Sequence, residues 1–512
     1  MKNAVKMAFG TMTSRVLGQL RESLLAAYFD KRITDAWAAA FRLPNMFRRL
    51  LGEGSLSVSF IPVFVEARHD HDVRAQNLIN SVYTFLLLIL GCLTTFGVLY
   101  PEPLLNLVLD PAYIADTEKY LLTLRLAKMM FGFIFFISSY AFIMGILNAL
   151  GQFSLPAVAP TLWNLCMIIS TVLPHEWFPV LGDQLAWGVL LGGAMQAAIL
   201  IPALLKAGYF PKISFDYKNK DFQRVIRNMG PGLIGMGLLQ FTTIVNLRFS
   251  SALREGTISY INYVDRLIEL PLSLISVSLG TALLPALSNF LARNERHKIG
   301  QTAQHYLELN LLITMAAAAG LYSLAEPIVQ LLFGRGKFRP EDVLMCSQIL
   351  KTYCWIMIFS SGVRVLTPAY FAVKNTWFPA IVSGICLAVH IFMAPILMAR
   401  YQVHGLMMST ILSATLNLVL LLIFFPRFVS EFKYVGFFKS VFIFALLASV
   451  TGGVAQSFYV WQPYLNFGFW GLLINLCLSA GAAILIFVIL GRVLGVTLVT
   501  EALNRVKKKF IK

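Results

Sequence analysis

Charged and hydrogen-bonding side chains recur in this chain inside stretches that are otherwise apolar. Ser14, Arg15, Arg21 and Glu22 share one such stretch; Asp35, Arg42, Asn45, Arg48, Arg49 and Glu53 share the next. Further on, Asn246 and Arg248 lie in one stretch and Ser259, Asn262, Asp265, Arg266 and Glu269 in another. Cations outnumber carboxylates in this set, and planar guanidinium forks hold phosphate or pyrophosphate oxygens in pairs. A cavity lined by these groups attracts an anion. Covalent chemistry has little to work with. The sequence contains no GxxxxGK[ST] for an ATP motor, no GxSxG, no HExxH and no metal-spaced histidines. The expectation is a transporter with no catalytic residue, no metal site and no cofactor.

The elements that position these groups are membrane helices. Of 512 residues, 58% are apolar and only 13% charged, and the mean hydropathy is +0.72. A soluble protein is about 25% charged. That composition excludes a soluble enzyme, a disordered chain and a secreted disulfide scaffold. With about 20 residues per crossing, the apolar runs give about 14 transmembrane helices, among them 7–29, 35–66, 222–253 and 258–290. Cys92, Cys166, Cys346, Cys354, Cys386 and Cys477 fall in or beside apolar segments without CxxC spacing and read as small core residues. Arg15 and Arg21 interrupt the first apolar run, so it reads as a retained helix rather than a signal peptide.

Each arginine at mid-membrane costs about 2.5–3.5 kcal/mol on the insertion scale, so these groups face water, pair with carboxylates, or both. At 100° per residue, Arg15, Gly18 and Glu22 share one face, as do Asp35, Arg42, Asn45 and Arg49. Pro44 shifts the register by a kink. Two readings stay open for single arginines: ion pairing, as in Arg15 with Glu22 or Arg266 with Glu269, or snorkelling of Arg21, Arg48 and Arg49 to the headgroups. Arg125, Lys128 and Arg364 read as snorkelling near span ends, Glu308 as interfacial, and His390 as a hydrogen-bonded core histidine.

The excess of 42 Lys and Arg over 25 Asp and Glu, a net +17, sorts by side. Lys206, Lys212, Lys218, Lys220, Arg224 and Arg227 fall with Arg293, Arg296 and Lys298, with Arg427, Lys433 and Lys439, and with the basic tail. Glu102, Asp110, Asp116, Glu118, Glu176 and Asp183 fall on the other side, where Arg335, Lys337 and Arg339 are the basic exception. The positive-inside rule then puts both termini in the cytoplasm. The charge is topological and calls for no nucleic acid. Pro62 and Pro285 lie 223 residues apart, as do Pro156 and Pro379. This suggests a six-helix unit repeated once about an axis along the membrane normal: a lobe at 1–210, a second at 211–430, and two further helices with a basic tail at 431–512.

Ser14-Arg15-Val16-Leu17-Gly18 with Arg21-Glu22, then Thr34-Asp35-Ala36, Phe41-Arg42-Leu43-Pro44-Asn45-Met46-Phe47-Arg48-Arg49 and Gly52-Glu53-Gly54-Ser55, resemble the first two helices of the MurJ family of lipid II flippases. That family lies within the multidrug/oligosaccharidyl-lipid/polysaccharide exporter superfamily. Tyr263-Val264-Asp265-Arg266-Leu267-Ile268-Glu269-Leu270-Pro271 and Pro156-Ala157-Val158-Ala159-Pro160-Thr161 with Asn164 resemble it too. The resemblance implies two six-helix lobes plus two C-terminal helices that help form a groove for the lipid tail. It implies movement of an undecaprenyl-pyrophosphate-linked peptidoglycan precursor from the cytoplasmic to the periplasmic leaflet of a bacterial inner membrane by alternating access, with a central cavity binding the pyrophosphate. Residue by residue, Arg15, Arg21, Arg48 and Arg266 match positions that contact the pyrophosphate region. Asp35, Asn45, Ser14, Ser259 and Glu269 match other sensitive cavity positions. Some members bind sodium through a carboxylate in the seventh helix, and this chain has none between Gly230 and Leu253; the membrane potential is the expected driving force. The expected partners are lipid II, bilayer lipids and other cell-wall synthesis proteins, with the chain itself a monomer. The alternative substrate is another polyprenyl-pyrophosphate-linked oligosaccharide, an O-antigen or capsule unit.

Overall fold

A computed structural model describes residues 2–50, 56–293, 295–462 and 468–500. Glu53, its neighbours Gly52, Gly54 and Ser55, and the basic tail from Arg505 to Lys512 lie outside the described residues. The order of helices is α1 (Lys2–Tyr28), α2 (Lys31–Phe47), α3 (Leu56–Asp70), α4 (Asp72–Leu99), α5 (Pro101–Val108), α6 (Pro111–Ala115), α7 (Thr117–Met130), α8 (Phe133–Ala149), α9 (Ser154–Val172), α10 (Asp183–Ala198), α11 (Ile201–Lys206) and α12 (Lys220–Ser251). They continue as α13 (Thr257–Leu272), α14 (Ser278–Ala292), α15 (Arg296–Ser323), α16 (Ala325–Phe333), α17 (Pro340–Tyr353), α18 (Ile356–Ala372), α19 (Trp377–Tyr401), α20 (Val403–Ile423), α21 (Phe425–Phe428), α22 (Tyr434–Trp461) and α23 (Gly468–Val493).

There is no strand among the described residues. Their helical character follows from the solvent the chain is built for: in hydrocarbon every backbone donor must be satisfied within its own segment. Several crossings are broken. α7 with α8, α10 with α11, α13 with α14 and α17 with α18 each continue one span across a short interruption, and α2 and α3 both fall within the span expected at 35–66, which is compatible with fourteen spans. By length and apolarity alone, seven runs qualify to cross a membrane, and nine if the bent pairs α15–α16 (73°) and α17–α18 (45°) count as one each.

Two compact units divide the chain: 1–259 with 335–338, and 260–334 with 339–512. The first is built around α8, apolar on every side, whose Phe133, Ile134, Ile137, Phe142 and Ile146 are all buried. A helix without a polar face belongs in the middle of its unit. The second packs α18 against both α15 and α20 through Leu307, Leu311, Val365, Tyr370 and Leu421. α12 packs with α3 in the first unit, whereas the proline repeat counts it with the second. Packing and repeat are different divisions, and the long α12 belongs to one in each.

Two helices break alike. In α2, Pro44 has no N–H to give the preceding turn, and the ladder widens into a π turn at residues 48–50. In α13, Pro271 is followed by the π turn Ser273–Val277 before α14 begins. Proline removes one rung of the helix and the wider turn re-closes the ladder.

Candidate functional site

In the first unit, the α1 face that carries Ser14, Gly18 and Arg21 lies on α9 and converges on one side chain, Asn164. Its amide nitrogen donates to the Ser14 carbonyl (3.0 Å) and hydroxyl (3.2 Å), while its carbonyl oxygen accepts from Arg21 Nη1 at 2.9 Å. Arg21 also pairs with Glu22, and its guanidinium lies 4.6 Å from the centre of the Trp163 ring. Arg21 is 2% exposed and Glu22 4%. Snorkelling is therefore excluded for Arg21, and Glu22 is engaged by Arg21 rather than held only for Arg15. A buried charge stacked on an aromatic ring and closed by a carboxylate is spent on joining α1 to α9. Arg15, on the neighbouring face, is half-buried.

Asp35 is a heavily bonded carboxylate of the same unit. At 1% exposure it takes Lys119 Nζ at 2.8 Å, the backbone N–H of Gly256 at 2.7 Å, and both the N–H (2.9 Å) and hydroxyl (2.7 Å) of Ser259. The same hydroxyl lies 2.8 Å from that of Thr34. Lys119 sits over the Tyr113 ring, 4.7 Å from its centre. Burial pushes the Tyr113 phenol well above its ordinary range, so it stays a neutral donor to Thr123 at 2.8 Å. Four donors fill the acceptor capacity of one carboxylate. Asp35 thus fastens the start of α2 to α7 and to the turn that opens α13.

Asn45 and Arg48 meet at the widened turn of α2, where Arg48 Nε donates to Asn45 Oδ1 at 2.9 Å. Both side chains are half-buried. The π turn rotates Arg48 away from the register that a regular helix would impose.

In the second unit the character changes. Arg266 Nη1 lies 3.7 Å from Glu269 Oε2, one turn along α13, and the two side chains are 47% and 53% exposed. This is a loose pair in an apolar chain. Two half-exposed charges on a membrane helix call for water or further polar partners.

The remaining singled-out groups fall as follows. Arg125 does not merely snorkel: it forks onto Asp183 at 2.7 and 2.8 Å, where Asp183 is 1% exposed, and so ties α7 to the head of α10. His390 is buried with Nδ1 2.9 Å from the Ser409 hydroxyl, as a core histidine should be. Cys346, Cys354 and Cys386 are buried, but Cys92 and Cys477 are exposed, so the core reading holds for only part of the set. The 334–338 turn is more than a connection. The Lys337 N–H donates to the Ala27 carbonyl at 2.8 Å, and Gly336 has φ +60° with the place of a Cβ only 2.1 Å from that same oxygen. Lys119, Asn164, Trp163 and Gly256 were not legible as site residues. Asn164, a lone amide in a Pro-bearing apolar helix, carried the clearest signal.

A polytopic helical chain in two units, with arginines set into its spans, defines a membrane transporter. Solved structures share the fold: an inward-facing multidrug resistance MATE family transporter of the MOP superfamily matches with a TM-score of 0.67 at 12% identity, covering 87% of this chain and 98% of that one. The structure titled lipid II flippase MurJ, inward closed conformation, matches with a TM-score of 0.80 at 24% identity over 96% of this chain and 99% of that one. The sequence profile described as lipid II flippase MurJ matches residues 25–475. The probable lipid II flippase MurJ of Bdellovibrio bacteriovorus is 52% identical over 424 residues, 82% of this chain and 81% of that one. The lipid II flippase MurJ of Burkholderia cenocepacia is 32% identical, over 80% and 81%. The chain belongs to the MurJ family of lipid II flippases.

Proposed function

We infer that this chain is a lipid II flippase, moving the undecaprenyl-pyrophosphate-linked peptidoglycan precursor from the cytoplasmic to the periplasmic leaflet of the bacterial inner membrane. The family match over residues 25–475 carries this reading. The side chains sort within it. Arg15, Arg48 and Arg266 are each partly exposed, and in this reading they neutralise the pyrophosphate as it crosses. Arg21, with Glu22 and Asn164, and Asp35, with Lys119 and Ser259, hold α1 and α2 in place. Asn45 orients Arg48, Ser14 anchors Asn164, and Glu269 is the carboxylate that Arg266 leaves when the anion arrives.

The polyprenyl tail stays in lipid while the sugar-pyrophosphate head crosses, so the head alone needs a polar path. Two negative charges leaving a negative-inside cell gain about 2.3 kcal/mol each per 100 mV, and the membrane potential is the driving force we assign. Sodium is not assigned, because the sequence between Gly230 and Leu253 has no carboxylate to ligate it. Both termini lie in the cytoplasm, and the chain works as a monomer.

The test uses cells depleted of this protein and of any second flippase. A lipid-linked precursor that becomes inaccessible to a cleaving enzyme added outside the inner membrane, with access restored by wild type but not by Arg48→Ala at equal level, is the expected result. Unchanged access on depletion would move the assignment to another polyprenyl-linked glycolipid. Transport in vesicles that ignored an imposed potential would remove the driving force.

A further inference from the structure

Between α11 and α12 the chain does not cross open space; residues 209–217 run as a strap along α4. Four side chains of α4, each one turn above the last, hold it. Asp72 accepts from the Tyr209 hydroxyl at 3.0 Å, Gln76 donates to the Phe210 carbonyl at 2.7 Å, Asn80 accepts from the Lys212 N–H at 2.8 Å and Thr84 from the Ser214 N–H at 2.8 Å. With the backbone so fixed, Ile213 and Phe215 stand outward at 72% and 64% exposure. Large apolar groups held outward beside a membrane helix enter the bilayer interface.

Where the strap ends, a groove begins. Its volume is about 950 Å³, at the upper end of the roughly 300–1,000 Å³ that ligand pockets occupy. One wall is the α4 face Phe85, Leu88, Ile89, Cys92 and Phe96; the other is α12, through Phe222 and Ile226; Tyr217 stands at the top. Phe85 to Phe96 is about 16 Å of helix, half the roughly 30 Å hydrocarbon layer. The groove is therefore one leaflet long. Beside the lining residues Tyr217 and Phe222 in the chain, Lys218 and Lys220 are exposed, as is Lys212 on the strap. The neighbouring Asp221 and Arg224 are already used, Asp221 by Arg74 (2.7 Å) and Arg224 by Glu66 (2.7 Å). Over residues 212–220 three lysines stand against one carboxylate, Asp216, so the surplus there is positive.

We propose that this groove binds an anionic diacyl phospholipid, with acyl chain along α4 and phosphate at Lys218 and Lys220. The occupant follows from length and charge together: an apolar wall one leaflet long suits an acyl chain, and a lysine mouth suits a phosphodiester. A polyprenyl tail, longer than the whole hydrocarbon layer, does not match that length. Both walls lie in the first unit, and the groove also takes in Phe47 and Leu50, on either side of Arg48.

The experiment uses the full-length protein in nanodiscs containing phosphatidylglycerol or phosphatidylcholine with a photoactivatable acyl chain, and maps the labelled peptides. Labelling of 85–96 is expected to be several-fold stronger with phosphatidylglycerol. Lys218→Glu with Lys220→Glu should bring it down to the phosphatidylcholine level, and the Lys218→Gln, Lys220→Gln pair should do the same if the reversed variant is poorly produced. Ile89→Trp, which fills the groove, should reduce labelling by either lipid. Equal labelling by the two headgroups, or labelling unmoved by either lysine pair, would overturn the proposal and leave only bulk boundary lipid. Displacement of the phospholipid by a polyprenyl phosphate would overturn it in favour of an isoprenoid site.

Discussion

The charges of the α1–α2 region and those of α13 are alike in kind and opposite in circumstance. In the first unit Arg21 and Asp35 are enclosed, at 2% and 1% exposure, with every neighbour chosen to neutralise them. In the second, Arg266 and Glu269 stand half-exposed and 3.7 Å apart. Enclosed charge in a membrane helix is an internal fastening, because its desolvation has been compensated by fixed partners. The Arg266–Glu269 pair is only partly enclosed, so less of its desolvation has been compensated in this way. Residue type alone does not separate these roles; the surroundings do.

Four substitutions break or sharpen that contrast. Asp35→Ala should have the largest effect. It strands a buried ammonium and two backbone donors, and breaking a buried pair on one side costs about 3–5 kcal/mol. Loss of a folded species in detergent, seen by size-exclusion chromatography and thermal melting, is expected, and partial return when Lys119→Met is added. Arg21→Met should come next, at about 3 kcal/mol by the same reasoning. Adding Glu22→Gln should recover most of the lost melting temperature; if it does not, the pair is not what holds α1 to α9. Gly336→Ala forces a side chain into a left-handed backbone and onto the Ala27 carbonyl, for about 1–3 kcal/mol, again read from the melting curve. Arg266→Gln should be the mildest for stability, within about 0.5 kcal/mol, while precursor access falls tenfold or more. A destabilised Arg266→Gln, or one that still transports normally, would erase the distinction between the two regions.

Much of this was legible in the chain. The expected helix at 258–290 is found as α13 and α14 from Thr257 to Ala292, and that at 7–29 ends with α1 at Tyr28. Apolar run length is a local property that the bilayer thickness turns directly into helix length. The fate of single charges was not legible. Asp35 meets Lys119 across 84 positions and Ser259 across 224, and Arg21 meets Asn164 across 143. A transfer scale prices each residue alone, so it registers the cost of Arg21 and Arg266 as equal and is blind to the partner that cancels one of them. Helical wheels were also misled: the face of α1 that matters for packing runs through Ser14, Gly18 and Arg21, one position away from the Arg15, Gly18, Glu22 face drawn by charge.

The paired breaks at Pro44 and Pro271 have a dynamic consequence. Each proline leaves its ladder one donor short, and the π turn beside it spreads the remaining bonds over a wider loop. Opening the helix at that point therefore disrupts fewer bonds than opening it anywhere else along α2 or α13. In hydrogen-exchange terms, the amides just before these two turns are expected among the lower-energy openings of their helices. The helices that carry Arg48 and Arg266 can thus flex beside their arginines.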